Sequence, residues 1–185
     1  MCVGVRPLLL HVKPVNVEEW LVHRLSESLS EVFSLKVVVS RDLSLSRVLE
    51  FYDEEREQVR ADLLLDALSS RAPPLCLVLI DADAYVAGLN FVFGVARAGW
   101  GGLVFLTRLR QEFYGLPPNE EILAARVVKE AIHELGHALG LGHCRTPRCV
   151  MRFSNSILDV DSKTPYFCPR CRRELELLHP GLLKF

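Results

Sequence analysis

His133-Glu134-Leu135-Gly136-His137-Ala138-Leu139-Gly140-Leu141-Gly142-His143 is the stretch from which the rest of this sequence can be read. Its first half ends a proline-free run, Glu120–Leu139, that is rich in Ala, Leu, Val and Glu and opens on two carboxylates favourable to a helix N-terminus. On a helix, residues four apart leave the same face on successive turns, so His133 and His137 can bring both imidazoles to one cation. Glu134, a fraction of a turn away, can reach a water beside that cation. His143 follows six residues after His137, where a continued helix would carry it away from the metal. Gly140 resolves this, because glycine can enter the left-handed conformation that ends a helix and lets the chain turn sharply back. Three neutral imidazoles with one position left for water make the open zinc site of a hydrolase, whereas a structural site is closed by four protein ligands. The competing reading is three ordinary helix histidines satisfied by hydrogen bonds. The combined spacing of three His, one Glu and one Gly speaks against it.

Upstream, short β-branched and leucine runs alternate with amphipathic stretches, the pattern of a sheet covered by helices and hence of an α/β chain. Strands are expected at Leu8–Val12, Leu35–Val39, Leu75–Ile80 (after Pro73 and Pro74), Leu89–Ala96 and Leu103–Thr107. The last two are separated by Ala98-Gly99-Trp100-Gly101-Gly102. Helices are expected at Val17–Phe33, with Asn16 as N-cap and Trp20, Leu21, Leu25 and Leu29 on one buried face, and at Val59–Leu68. The charged run Glu50–Arg60 reads as a solvated face. Past Gly140 the periodicity stops, so Cys144–Phe167 reads as loop before a short final helix at Pro169–Leu178.

Size and charge set bounds. A chain of 185 residues, half of them hydrophobic, can bury a core without disulfides. Lys plus Arg number 22 against 23 for Asp plus Glu, with no long block of either sign, so nothing in the charge calls for nucleic acid or an anionic membrane. Met1–Val12 lacks the basic start and small-residue cleavage site of a signal peptide. The apolar stretch Leu89–Leu106 is interrupted by Arg97 and four glycines, which fits two strands and a turn better than a membrane span. The expected compartment is therefore the cytoplasm, and the expected state a monomer.

In a reducing compartment, clustered cysteines are more often metal ligands than disulfides. Cys144-x4-Cys149 and Cys168-x2-Cys171, with 18 residues between the pairs, have the spacing by which four thiolates close around one structural zinc. Two disulfides are the alternative, and a third arrangement has His143 join three of the cysteines. Cys2 and Cys76 have no partner spacing and read as a terminal thiol and a buried apolar residue. Two zinc ions are thus expected, one catalytic and one structural, in a unit of two parts: 1–143 with the active-site helix, and 144–185 with the cysteine site.

The His133–His143 motif matches the metzincin zinc-binding consensus, and Met151, the only methionine besides Met1, lies eight residues after His143, where metzincins carry a methionine turn. The run His143-Cys144, Cys149, Met151, Phe153-Ser154-Asn155-Ser156 and Cys168-Pro169-Arg170-Cys171 resembles the archaemetzincins more narrowly. This resemblance implies a zincin-like α+β fold: a twisted, mixed five-stranded sheet with backing helices, the zinc helix as cleft floor and a small zinc-stapled C-terminal part. Its antiparallel strand would edge the cleft, here Leu89–Ala96, and peptide could add to that edge by main-chain hydrogen bonds. It further implies a zinc peptidase with Glu134 as general base, acting on peptides or small proteins, with Met151 packing under the site. A zinc-binding interaction module on a protease scaffold is the rival reading. Some metzincins place a tyrosine two residues after the turn methionine; Phe153 stands there in this chain and leaves that role open, and Tyr166 reads as a packed or solvent-facing phenol before it reads as a substitute.

Overall fold

A computed structural model describes residues 8–70 and 75–184. Its first strand, β1 (Leu8–Val15), alternates exposed or half-buried residues with the fully buried Leu10 and Val12. Asn16 follows with φ +56°, a left-handed turn residue that leaves the strand, so it does not cap the next helix. That helix, α1 (Glu19–Val32), starts two residues later than the sequence led us to expect, with Glu18 at its N-cap, and buries Leu21, Val22, Leu25 and Leu29 as one face. Next come β2 (Leu35–Val39) and α2 (Leu45–Leu49), a one-turn helix capped by the Ser44 hydroxyl. The charged run then forms a small hairpin, β3 (Tyr52–Asp53) and β4 (Gln58–Arg60). Val59 belongs to β4, so the helix expected from Val59 is instead α3 (Ala61–Ser69).

The remaining strands are β5 (Cys76–Ile80), β6 (Ala84–Tyr85), β7 (Gly94–Arg97) and β8 (Gly101–Phe105). Two boundaries in this region depart from the periodicity. β7 keeps only the end of the expected Leu89–Ala96 strand, and β8 begins at Gly101 because the two glycines read as turn lie in the ladder. An ordinary side chain at Gly101 would collide with the backbone of Cys76 on the neighbouring strand. The helices that complete the chain are α4 (Glu120–Ala138), α5 (Ile157–Ser162) and α6 (Pro169–Leu178). α5 lies inside the expected loop and is held by a reciprocal capping box between Ser156 and Asp159. Cys2, Pro73 and Pro74 fall outside the described residues.

The five expected strands form one mixed sheet in the order β2-β1-β5-β8-β7. The first four run parallel, and β7 is antiparallel to β8 at the edge. Alternation along β5 feeds two cores: Leu77 and Leu79 pack with α1 and α4, whereas Cys76, Val78 and Ile80 pack with α3. The sheet is therefore sandwiched, with α4 lying across β7 and β8. Among the described residues no helix is long and apolar enough to cross a membrane.

Candidate active site

The 19-residue α4 starts at Asn119, whose side chain accepts from the Ile122 N–H, and carries Glu120 and Glu121 in its first turn. At its far end Leu139 caps the helix and Gly140 takes φ +102°. The Gly140 N–H then donates to His137 and the Leu141 N–H to Gly136, a tight reversal that turns the chain back over the last turn. Consequently His133, His137 and His143 each offer a ring nitrogen, and the three lie within 4.8 Å of one another. The bend read from Gly140 is present, and His143 joins the two helix histidines and not the cysteines.

The ring orientations decide what this cluster can hold. His133 Nδ1 lies 2.8 Å from the Val150 carbonyl and His137 Nδ1 lies 2.8 Å from the Leu141 carbonyl. A carbonyl only accepts, so each Nδ1 carries the proton and each Nε2 presents a lone pair. Those two Nε2 atoms face each other at 3.1 Å. Burial lowers the proton affinity of all three imidazoles, most strongly at His133, and keeps them neutral. Two neutral lone pairs at that distance have no hydrogen between them; they suit a shared cation, since tetrahedral zinc at roughly 2.0–2.1 Å from each nitrogen separates its ligands by about 3.3 Å. The donor set therefore fits zinc.

Glu134 is 4% exposed and no described residue donates a hydrogen bond to it. Burial pushes its carboxyl well above the usual carboxylate range; Glu130, one helical turn away, adds to the rise and Lys163 opposes it. Its side chain is pressed against two strands at their glycines, Gly94 on β7 and Gly102 on β8. Gly136, on the adjoining face of α4, leaves room for the sulfur of the fully buried Met151; a methyl group at Gly136 would overlap that sulfur.

The three histidines, Glu134 and Gly94 line a cleft of about 460 Å³. One wall is the edge strand and the segment before it, including Asn90, Phe91 and Gly94; the facing wall is Phe153–Asn155. Phe153 packs edge-on against His143 with ring centroids 4.9 Å apart. Tyr166 is 63% exposed and is not among the cleft's lining residues, so its phenol takes no part there.

The four cysteines Cys144, Cys149, Cys168 and Cys171 form a separate group with all sulfurs within 4.8 Å. The separations Cys144–Cys168 and Cys149–Cys171 are both 3.8 Å. A disulfide would need about 2.05 Å, whereas sulfurs roughly 2.3 Å from a central zinc are about 3.8 Å apart. Burial works to raise the Cys168 thiol, yet hydrogen bonds from the Cys171 backbone N–H and from neighbouring side chains outweigh it and bring the group to about 6. The two clusters are joined directly, since Cys144 follows His143 and its N–H donates to the Met151 carbonyl at 2.8 Å.

Sequence reading passed over two further groups. Glu130 precedes His133 by one turn on the same face and lines the cleft, a position its spacing could have revealed. Its partner Lys163, whose Nζ lies 2.7 Å from Glu130 Oε1 and 3.3 Å from the Arg152 carbonyl, gives no sequence signal, because it comes from the turn after α5.

Comparison with known proteins agrees with this geometry. The profile of peptidase family M54 matches residues 24–177. An archaemetzincin of Thermococcus kodakarensis is 44% identical, the match covering 86% of this chain and 90% of that protein. One from Methanocaldococcus jannaschii is 41% identical over 89% and 91% of the two chains. Among solved structures, the archaemetzincin of Archaeoglobus fulgidus complexed with malonate superposes with a TM-score of 0.78 at 35% identity, covering 90% of this chain and 99% of that one. A zinc-dependent peptidase from Methanocorpusculum labreanum gives 0.80 at 31% identity, with the same coverage. A profile match across most of the chain, relatives above 40% identity and a shared fold place this chain in peptidase family M54, the archaemetzincins, and make it a zinc metallopeptidase.

Proposed function

We propose that the cleft hydrolyses peptide bonds with Glu134 as general base, at a zinc held by His133, His137 and His143. A second zinc, held by Cys144, Cys149, Cys168 and Cys171, has a structural role in this reading. The observation that carries it is the pair of unprotonated Nε2 atoms facing each other at 3.1 Å, with Glu134 next in sequence to one of them. When bound, zinc supplies Lewis acidity and lowers the pKa of a water to roughly 7.

The chain's own residues do the rest. His133 and His137 are held in one tautomer by the carbonyls of Val150 and Leu141, which fixes both lone pairs on the same point. Glu134 takes a proton from the attacking water at its carboxylate and returns it to the leaving amine. Its burial without hydrogen-bond partners favours holding that proton, and a dication in the site would work in the opposite direction. Gly94, Val95 and Ala96 of β7 line the cleft, so a substrate peptide adds to that edge by main-chain pairing. Met151 supports the site by packing under Gly136. In domain terms, residues 1–143 carry the sheet and the three histidines, and 144–185 form a part stapled by the second metal. Thiolate ligands persist in a reducing compartment, and on that chemistry we place the chain in the cytoplasm.

Glu134→Gln tests the central assignment. It removes the base while preserving shape, so the purified variant keeps two zinc ions per chain by metal analysis and loses roughly 10²–10⁴-fold in peptide hydrolysis. Turnover within tenfold of the parent would refute Glu134 as the base.

A further inference from the structure

We infer that Gly94 is a positioning residue for Glu134, and that it is glycine because the carboxyl end of Glu134 occupies the space its side chain would fill. The inference rests on the reading of Glu134 as the base. A Cβ built on Gly94 would lie 2.5 Å from Glu134 Oε1, 2.7 Å from its Cγ and 2.8 Å from its Cδ. The backbone gives no other reason for glycine: Gly94 is a regular residue of β7, paired with Val104, and its φ lies outside the left-handed region. Gly88 and Gly99 are the opposite case, with positive φ and open space around them.

The contact matters because it replaces a tether. No described residue hydrogen-bonds the Glu134 carboxyl, so contact with the strand backbone sets where that group stands. β7 is also the cleft's edge strand, so the same contact fixes the carboxyl relative to a peptide paired there. Gly102 makes a different contact. Its Cβ would meet Glu134 Cβ at 2.7 Å and the Val95 carbonyl at 3.3 Å, atoms rigidly attached to helix and strand. A methyl group at 102 must push α4 away from the sheet, whereas one at 94 meets Glu134 beyond its Cβ, at Cγ, Cδ and Oε1, atoms that side-chain rotation can move. They can retreat by about 0.5–1 Å at small cost to folding. Displacement on that scale is serious for catalysis, where a misplacement of about 1 Å can cost 10²-fold.

Gly94→Ala therefore lowers kcat by about 10–100-fold while zinc content and Tm stay near the parent values. Gly102→Ala loses Tm and zinc together with activity. A purely structural role for Gly94 would give the Gly102 pattern at both positions. The decisive measurement is a cycle with Glu134→Ala, in which the carboxyl is already absent: there Gly94→Ala lowers the residual rate by a smaller factor than in the parent, and the difference is the part of the effect that passes through the carboxyl. A crystal structure of zinc-loaded Gly94→Ala, with the Glu134 carboxyl moved off β7, gives a readout independent of turnover. The inference is overturned if Gly94→Ala leaves kcat intact, if it lowers the rate by the same factor in both backgrounds, or if the carboxyl has not moved. Failure of the base assignment looks different: Glu134→Ala itself would then turn over normally, and the position of the carboxyl in Gly94→Ala would still decide the role of Gly94.

Discussion

Lys163→Met isolates one interaction whose cost can be worked from the structure. The Lys163 side chain is fully buried, that of Glu130 is 4% exposed, and their charged atoms are 2.7 Å apart. Lys163 also donates to the Arg152 carbonyl, next to Met151, so it binds the cleft-lining face of α4 to the segment beneath the metal histidines. Removing one member of a buried pair leaves the other charge uncompensated, at about 3–5 kcal/mol. For a domain of this length each kcal/mol lowers Tm by about 2–4 °C, so Lys163→Met melts about 6–20 °C below the parent. Glu130→Met falls in the same range. Replacing both residues with methionine removes the desolvation penalty together with the attraction, so the double variant lies within about 1 kcal/mol of the parent or above it. The assay is thermal and urea unfolding of the four zinc-loaded proteins, with the coupling energy taken from the cycle. Single variants costing under about 1 kcal/mol, or a double variant equal to the sum of the singles within about 0.5 kcal/mol, would refute a buried, paired Lys163.

Two further outcomes follow from the way the clusters are joined. Cys171→Ser opens the cysteine site, and because Cys144 adjoins His143 and donates to the Met151 carbonyl, it weakens zinc at the histidines as well. Metal analysis and thermal unfolding read both effects, and unchanged zinc content with unchanged Tm would defeat the coupling. Gly136→Ala places a methyl group against the Met151 sulfur, an overpacking worth about 1–3 kcal/mol, and it lowers zinc retention along with stability because Val150, which orients His133, is the residue before Met151. Relief by Met151→Ala in the Gly136→Ala background checks that the clash is the cause.

The candidate zinc ligands and the helix that presents two of them were legible because metal coordination leaves a short-range signature: two imidazoles one turn apart, a glycine where the chain must reverse, a third imidazole just after. The five strands of the main sheet were legible for a similar reason, since each is an apolar run ended by turn residues. Local signals failed where conformation answered to a distant neighbour. Asn16 looked like a helix cap and is a left-handed turn, because β1 continues through Val15 to pair with β5. Gly101 and Gly102 looked like turn residues and lie in β8 because Cys76 and Glu134 pack against them. α5 went unread because one capping box and one and a half turns give no periodicity to detect.

Local spacing in the sequence was enough to single out the candidate ligands and Glu134, and to show that sheet and helices alternate ahead of them. The tertiary structure decided what surrounds those residues, namely the edge strand pressed against Glu134, the Lys163–Glu130 pair behind the histidines and the tie from Cys144 to the Met151 turn. The division has a physical cause. Ligand spacing is set by bond geometry within about ten residues of chain, whereas packing partners such as Gly94 and Glu134, or Glu130 and Lys163, are separated by dozens of residues and meet only once the core has closed.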